Sequence, residues 1–379
     1  SQTNNLTYNF SLNYAKSFGR NEISGMLLYE QYSSKGDSLY ARKQDFSTNI
    51  KDELFASGPA NQSITGTGLL HDARRSVVGR VNYALKEKYL LEATFRYDGS
   101  YRFPQNKRFG FFPAFSAGWR ISEEDFFKNA TALKAISSLK IRASKGLIGN
   151  DRVNAYQFTD AYSIIAGSGP IVNGQALPFV RYGVYPNPNI TWEKQDNTNI
   201  GLDALFFDSK FGLEFDYFFR TTRDILWSRI RSVPGTFGRT LPNENYAEVK
   251  SQGLELMLSY QDRIQGLGYN FRLIGSYAQN KVTKIDDPGN ALDFQKQVGR
   301  PIGFRSGYEA LGLFRSQEEA DSWAGGYQFG QKSVAGDIKY ADLDGDGSIS
   351  IPDQKILSKY GNTPRIMYGF TAGFNWNNF

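Results

Sequence analysis

Polar and apolar residues alternate with a period of two along most of this chain, the spacing of β-strands with one apolar face. In "LTYNFSLNYAK", Tyr8, Phe10, Leu12 and Tyr14 share one face, and Asn9, Ser11 and Asn13 share the other. In "YLLEATFRYD", Leu91, Ala93 and Phe95 stand against Glu92, Thr94 and Arg96. The segments "SVVGRVNYAL", "FPAFSAGWRI", "LKIRASKG", "FGLEFDYFFR", "GLELMLSYQD", "YNFRLIGSYA" and "MYGFTAGFNW" repeat the pattern. The alternation predicts about eleven principal strands, most near the ~9–11 residues that a tilted strand needs to cross a bilayer. The polar face carries Glu92, Arg96, Glu214, Asp216, Arg220, Glu255, Gln261 and Arg272. Aromatic residues gather near strand ends, at Tyr8 and Tyr14, Tyr89 and Tyr97, Tyr260, and Tyr269 and Tyr277. Two such belts are what the interfaces of a bilayer select. A soluble sandwich also alternates, so the connections carry the next step.

The connections alternate between short and long. "SFGRN", "KEK", "DSK" and residues 263–268 are short, whereas 33–75, 146–190, 221–249 and 281–365 are long. "SEEDFFKNATALKAISS" is intermediate and reads as a short helix, with Ser122 as its cap and Glu123, Glu124 and Asp125 in its first turn. Short turns at one end and long loops at the other predict an all-β fold, an antiparallel transmembrane β-barrel with long extracellular loops. Single-chain bacterial barrels have even strand numbers, and an open edge is not viable in lipid. The odd strand number therefore predicts a partial barrel, an internal piece of a larger one. Residues 1–379 are expected to belong to one barrel domain, with 281–364 forming its longest extracellular loop.

Composition narrows the chemistry. Hydrophobic residues make up 40% of the 379 residues and aromatics 15%, while mean hydropathy is −0.48. No apolar run reaches the ~18 residues of a membrane-spanning helix. The absence of cysteine removes disulfides and thiolate zinc sites, and a single histidine, His71, argues against histidine catalysis. His71 reads as a loop residue. The net charge of +6 is spread among interspersed acids and bases, so no nucleic-acid partner is expected. No nucleophile–base constellation emerges, and no enzyme activity is expected.

One loop carries metal chemistry. In "DLDGDGSISIPD", Asp342, Asp344 and Asp346 occupy the first, third and fifth places, and Gly347 the sixth. Ser348 would ligate through its backbone carbonyl, and Asp353 closes the twelve-residue pattern. Calcium takes six to eight oxygen ligands, and this spacing presents them along one tight loop. Pro352 beside the last acid would suit the first turn of a following helix. The bland alternative is an acidic, solvated turn. Without a helix before it, the loop would act as a local calcium staple, not as a sensor. Tyr162, Tyr182, Tyr185, Trp192, Trp227, Trp323 and Tyr327, in the long loops, could stack on sugar rings or pack the loops together.

"GRVNYALKEKYLLEATFRYDGSYRFPQNKRFGFFPAFSAGWRISEEDFF" (79–127), "LKIRASKGLIGN" (139–150), "NPNITWEKQDNTNIGLD" (187–203), "VKSQGLELMLSY" (249–260) and "AGDIKYADLDGDGSISIPDQ" (335–354) resemble the SusC/RagA family of TonB-dependent outer-membrane transporters. The resemblance keeps the family's order and matches the middle-to-late barrel. It implies localisation in the outer membrane of a Gram-negative bacterium, in contact with its lipids. It also implies TonB-dependent import of oligosaccharides or peptides, with a SusD-like surface lipoprotein as partner and TonB engaged through a region outside this stretch. The competing expectations are a plugless structural or adhesive barrel, or a secreted β-rich glycan-active protein.

Overall fold

The computed structural model describes residues 2–43, 62–165, 167, 169–228, 236 and 238–376. Eleven long strands form one sheet in sequence order, each antiparallel to the next. They are β1 (Gln2–Phe18), β2 (Asn21–Lys43), β3 (Gln62–Leu85), β4 (Tyr89–Ser100), β5 (Phe109–Arg120) and β6 (Ile136–Asn150), then β7 (Glu193–Phe206), β8 (Phe211–Ser228), β9 (Asn243–Ile264), β10 (Leu267–Lys284) and β11 (Ile366–Trp376). Among the described residues β1 pairs only with β2, and β11 only with β10. Among the described residues no helix is long and apolar enough to cross a membrane.

At one end the strands reverse through Gly19–Arg20, Lys86–Lys88, Phe207–Lys210 and Gln265–Gly266. Positive φ at Gln265 (47°) and Gly266 (88°) matches the twist of a two-residue hairpin. Also at this end, β5 and β6 are joined by two 3₁₀ turns flanking a four-residue helix, α1 (Asp125–Lys128). Ser122 does not cap it. Ser122 is buried inside the first 3₁₀ turn, and Glu124 holds the cap position without a side-chain cap bond. The Glu124 carboxylate instead gathers the Tyr89 hydroxyl at 2.6 Å, Lys88 Nζ at 3.1 Å and Trp119 Nε1 at 3.1 Å. These donors hold it well below the usual carboxylate range, at about 2, with Tyr89 the largest influence.

At the other end the strands run further than the alternation predicts. The stretch 33–75, expected as a loop, is mostly paired strand, because β2 continues to Lys43 and β3 starts at Gln62. His71 lies in β3 opposite Lys35, not in a loop. Similarly, β8 reaches Ser228 and β9 starts at Asn243. Beyond the bilayer an antiparallel ladder keeps its backbone hydrogen bonds without an apolar face. Polar residues such as Asp37 and Arg42 on β2, or Asn243 and Glu244 on β9, therefore hide the extensions.

The apolar rows form the outer surface. Phe10 is 66% exposed, Leu12 72%, Phe115 61% and Phe370 66%. Exposure on this scale along whole strand faces is what lipid requires and water penalises. The true core lies among the loops, where Phe103, Phe112, Val153, Ile190 and Trp192 bury one another. Phe103 and Phe112 each sit 5.2 Å from the Trp192 ring, and Trp192 Nε1 donates to the Arg108 carbonyl at 3.1 Å. Arg102 reaches the Val153 carbonyl and Asp72, and Arg74 pairs with Asp151. The cluster thus fastens the loops following β4 and β6 to the sheet.

Candidate functional site

Between β10 and β11 the chain builds a small folded cap from short hairpins. Arg305–Tyr308 pairs with Gln354–Ser358, and Ala310–Leu313 pairs with Ile338–Tyr340. A short helix, α2 (Gln317–Ser322), is capped by Ser316, whose hydroxyl accepts from Glu319 N at 3.2 Å. Tyr308, Phe329 and Tyr340 pack edge to face around the hairpin bases.

The acidic loop hangs from this cap. Ile349 is buried and bridges Gln328 in the parallel sense, and its carbonyl accepts from Phe329 N at 3.1 Å. Gly345 and Gly347, at φ 74° and 78°, adopt the left-handed turns that bend the chain around its own carboxylates. Asp342 accepts from the N–H groups of Gly345 (2.7 Å) and Gly347 (3.0 Å). Asp344 and Asp346 accept from Asp346 N and Ser348 N, respectively. Asp353 is fully buried and accepts from Leu343 N at 2.7 Å, Asp344 N at 3.4 Å and Ser350 N at 2.7 Å. Burial pushes the Asp353 carboxyl up. The N–H groups of Ser350, Leu343 and Asp344 outweigh burial and leave it below its ordinary value.

Carboxylate oxygens of Asp342, Asp344 and Asp353 lie within 4.8 Å of one another. Asp346 stands outside that trio. The donor set is all oxygen, which suits a hard cation such as calcium. The residues after the loop do not start a helix. Ile351–Asp353 is a single 3₁₀ turn that leads into the strand Gln354–Ser358, whose pairing with Arg305–Tyr308 overrides the proline signal.

The loop aromatics divide. Trp192 belongs to the core cluster. Trp323 is held by a bond from its Nε1 to the Tyr340 carbonyl and by Lys339 Nζ 4.0 Å from its ring. Tyr162 and Tyr182 remain open, with ring centroids 5.2 Å apart. Tyr182 lines a cavity of about 1110 Å³ together with Tyr156, Tyr185 and Arg239. The Arg239 guanidinium lies 4.7 Å from the Tyr182 ring and bonds Asp160 at 2.8 Å.

The inner face of the sheet carries a set of ion pairs that alternation alone did not reveal as paired. Arg142 on β6 grips both oxygens of Asp216 on β8, at 2.6 and 2.5 Å, across the intervening β7. It also reaches Asp203 on β7 at 3.1 Å, and Lys140 lies 3.6 Å from the same carboxylate. Gly201 makes this possible, because a Cβ there would strike the guanidinium. Arg142, Gly201 and Asp216 stand in one cross-strand row, a register that only the strand pairing reveals.

An antiparallel sheet with a lipid-facing apolar surface, a charged concave wall, short turns at one end and folded loops at the other defines the wall of an outer-membrane β-barrel. The family described as TonB dependent receptor-like, beta-barrel matches residues 1–378. TonB-dependent receptor P3 of Formosa agariphila is 30% identical over 403 aligned residues, which cover 100% of this chain and 38% of that protein. TonB-dependent receptor SusC of Bacteroides thetaiotaomicron is 25% identical, with 99% of this chain and 36% of SusC covered. A solved structure of the RagAB peptide transporter superposes with a TM-score of 0.80 at 18% identity, covering 99% of this chain and 39% of that one. That likeness concerns the fold. The chain belongs to the TonB-dependent receptor β-barrel family, whose members reside in the outer membrane. It spans 38% or less of the length of these curated relatives.

Proposed function

We propose that the chain is part of the barrel of an importer that takes up oligosaccharides or peptides across the outer membrane. In this reading uptake is energised through TonB and shared with a SusD-like surface lipoprotein. The observation that supports it most is the charged inner wall around Arg142, joined to family membership over residues 1–378. Fixed, internally paired charges give a hydrated lumen surface that does not bind a passing solute irreversibly. The test is deletion of the gene, followed by growth on oligosaccharides and on peptides as sole carbon source. Growth loss on one class, restored by the full-length gene, supports import and names the class. Undiminished growth on every substrate, with no lipoprotein co-purifying with the tagged protein, would refute it.

We also propose that Asp342, Asp344, Asp346, the Ser348 carbonyl and Asp353 hold calcium in the external loop. When bound, calcium would neutralise the convergent carboxylates; the chain itself supplies the turn and the buried Asp353 that closes it. Affinity is expected in the range of extracellular modules, roughly 10⁻⁴–10⁻³ M. Calcium titration by calorimetry of the full-length protein checks this. Asp344→Asn should weaken binding about tenfold, and heat that is identical for wild type and variant would count against the site.

A further inference from the structure

We infer that the outer face of β8, β9 and β10, just above the apolar band, holds a phosphorylated lipid headgroup of the outer leaflet. Successive cross-strand rows on this face change character in order. Phe215, Leu256 and Gly275 form one row, and Tyr217, Leu254 and Tyr277 form the next. Phe219, Gln252 and Gln279 follow, and then Thr221, Lys250 and Lys281. The face thus passes from hydrocarbon through an aromatic level to amides and then cations. The lysine row lies two rows beyond the tyrosines, about 13 Å along the strands and roughly 10 Å vertically at the usual tilt. Lysine stems can lean back from there toward the headgroups.

Lys250 and Lys281 sit directly opposite each other on neighbouring strands. Like charges in that position are unfavourable unless an anion lies between them. The segment after β10 closes the site. Gly299 and Arg300 pair with Val282 as a short continuation beside β10, which brings Arg300 to the rim. The resulting cavity measures about 690 Å³ and is lined by Lys250, Lys281, Arg300, Lys359 and Arg365. No acidic side chain lines it among the described residues. Arg300 bonds Asp293 through Nη2, yet its Nη1 is buried without a partner. At the upper edge Glu248 is engaged by the Thr283 hydroxyl at 2.8 Å. On the inner wall Arg142 and Lys140 are answered by Asp203 and Asp216, whereas in this outer cavity, among the described residues, only Arg300 has a carboxylate partner, Asp293. Five cations around a concave site, one with an unused buried donor, match the several acceptor oxygens of a phosphoryl group. The position on the lipid-facing side selects a membrane source over a soluble one.

The test uses the full-length protein, purified in detergent and titrated with diphosphoryl lipid A or with phosphatidylcholine, with bound lipid read by native mass spectrometry. The wild type should retain lipid A over phosphatidylcholine. The double variant Lys250→Gln/Lys281→Gln should retain lipid A about thirtyfold less strongly, with phosphatidylcholine unchanged. Heat-modifiable migration reports whether the double variant is folded, and Arg300→Gln, which leaves the strands untouched, should show the same direction of loss. Undiminished lipid A retention in both folded variants would overturn the assignment. Inorganic phosphate that binds the wild type as tightly as lipid A and displaces it completely would overturn the lipid source, showing a site for soluble anions.

Discussion

At the scale of single residues, Asp353 shows how much one buried carboxylate organises. Its two oxygens accept backbone N–H groups from both ends of the acidic loop, at Leu343 and Ser350. Replacement by asparagine puts an amide N–H₂ against one of those donors. The expected cost is about 2–3 kcal/mol of local stability, because hydrogen bonds to a charged acceptor are lost and a buried donor is stranded. Cleavage of the 340–355 loop by added protease should accelerate accordingly, and equal cleavage in wild type and Asp353→Asn would contradict the role. The pH dependence has a definite sign. The folded carboxyl lies below its ordinary value, so its ionised form stabilises the loop fully above the unfolded value near 4. Protection should stay level from neutral pH down to about 4 and then fall as pH drops through the lower folded value. The acids and Gly347 were readable from spacing alone. The structural use of Asp353 was not, because it depends on which backbone donors the hairpin pairing of Gln354–Ser358 brings around it.

At the scale of elements, alternation located every long strand but not where those strands stop. Within the bilayer each outward residue must be apolar, so the pattern is strong. Above it the ladder of β2 and β3 continues through a stretch where Leu39 and Tyr40 fall among polar residues without a sustained alternation, so register and backbone bonding define it. The loop core was equally hidden. Phe103, Phe112 and Trp192 come from separate segments, and no periodicity links them. Phe112 lies across Gly110 and Gly149, whose missing side chains make room for its ring. Trp192→Ala should therefore act on two loops together. Truncating a buried aromatic costs about 3–5 kcal/mol, and here the loss falls on the attachment of residues 101–108 and 151–158 to the sheet. Hydrogen exchange of the full-length protein should show both segments opening together while β4 and β5 stay protected below them. Loosening confined to residues near position 192 would mean that the cluster is not a shared fastening.

At the scale of the whole molecule, the sheet's two outermost strands set the behaviour of this stretch taken by itself. β1 presents one backbone edge without a partner, and so does β11 among the described residues. Each unpaired backbone group in hydrocarbon costs several kcal/mol, and β1 alone is 17 residues long. Those edges must meet further strands for the sheet to rest in lipid, and the family's longer relatives have the length to supply them. Residues 1–379 expressed alone should therefore associate edge to edge or aggregate, and should fail to give the heat-resistant, fast-migrating band of a closed barrel. The number of strands and the alternation of short and long connections already implied this from sequence. What sequence could not supply is the inner wall's pairing, since Arg142 and Asp216 are 74 positions apart and meet only through the register of β6, β7 and β8. A monodisperse, heat-modifiable barrel from these residues alone would show that β1 and β11 can close on each other. Closure of that kind would make eleven strands sufficient, and the lumen would be far narrower than import of oligosaccharides or peptides requires.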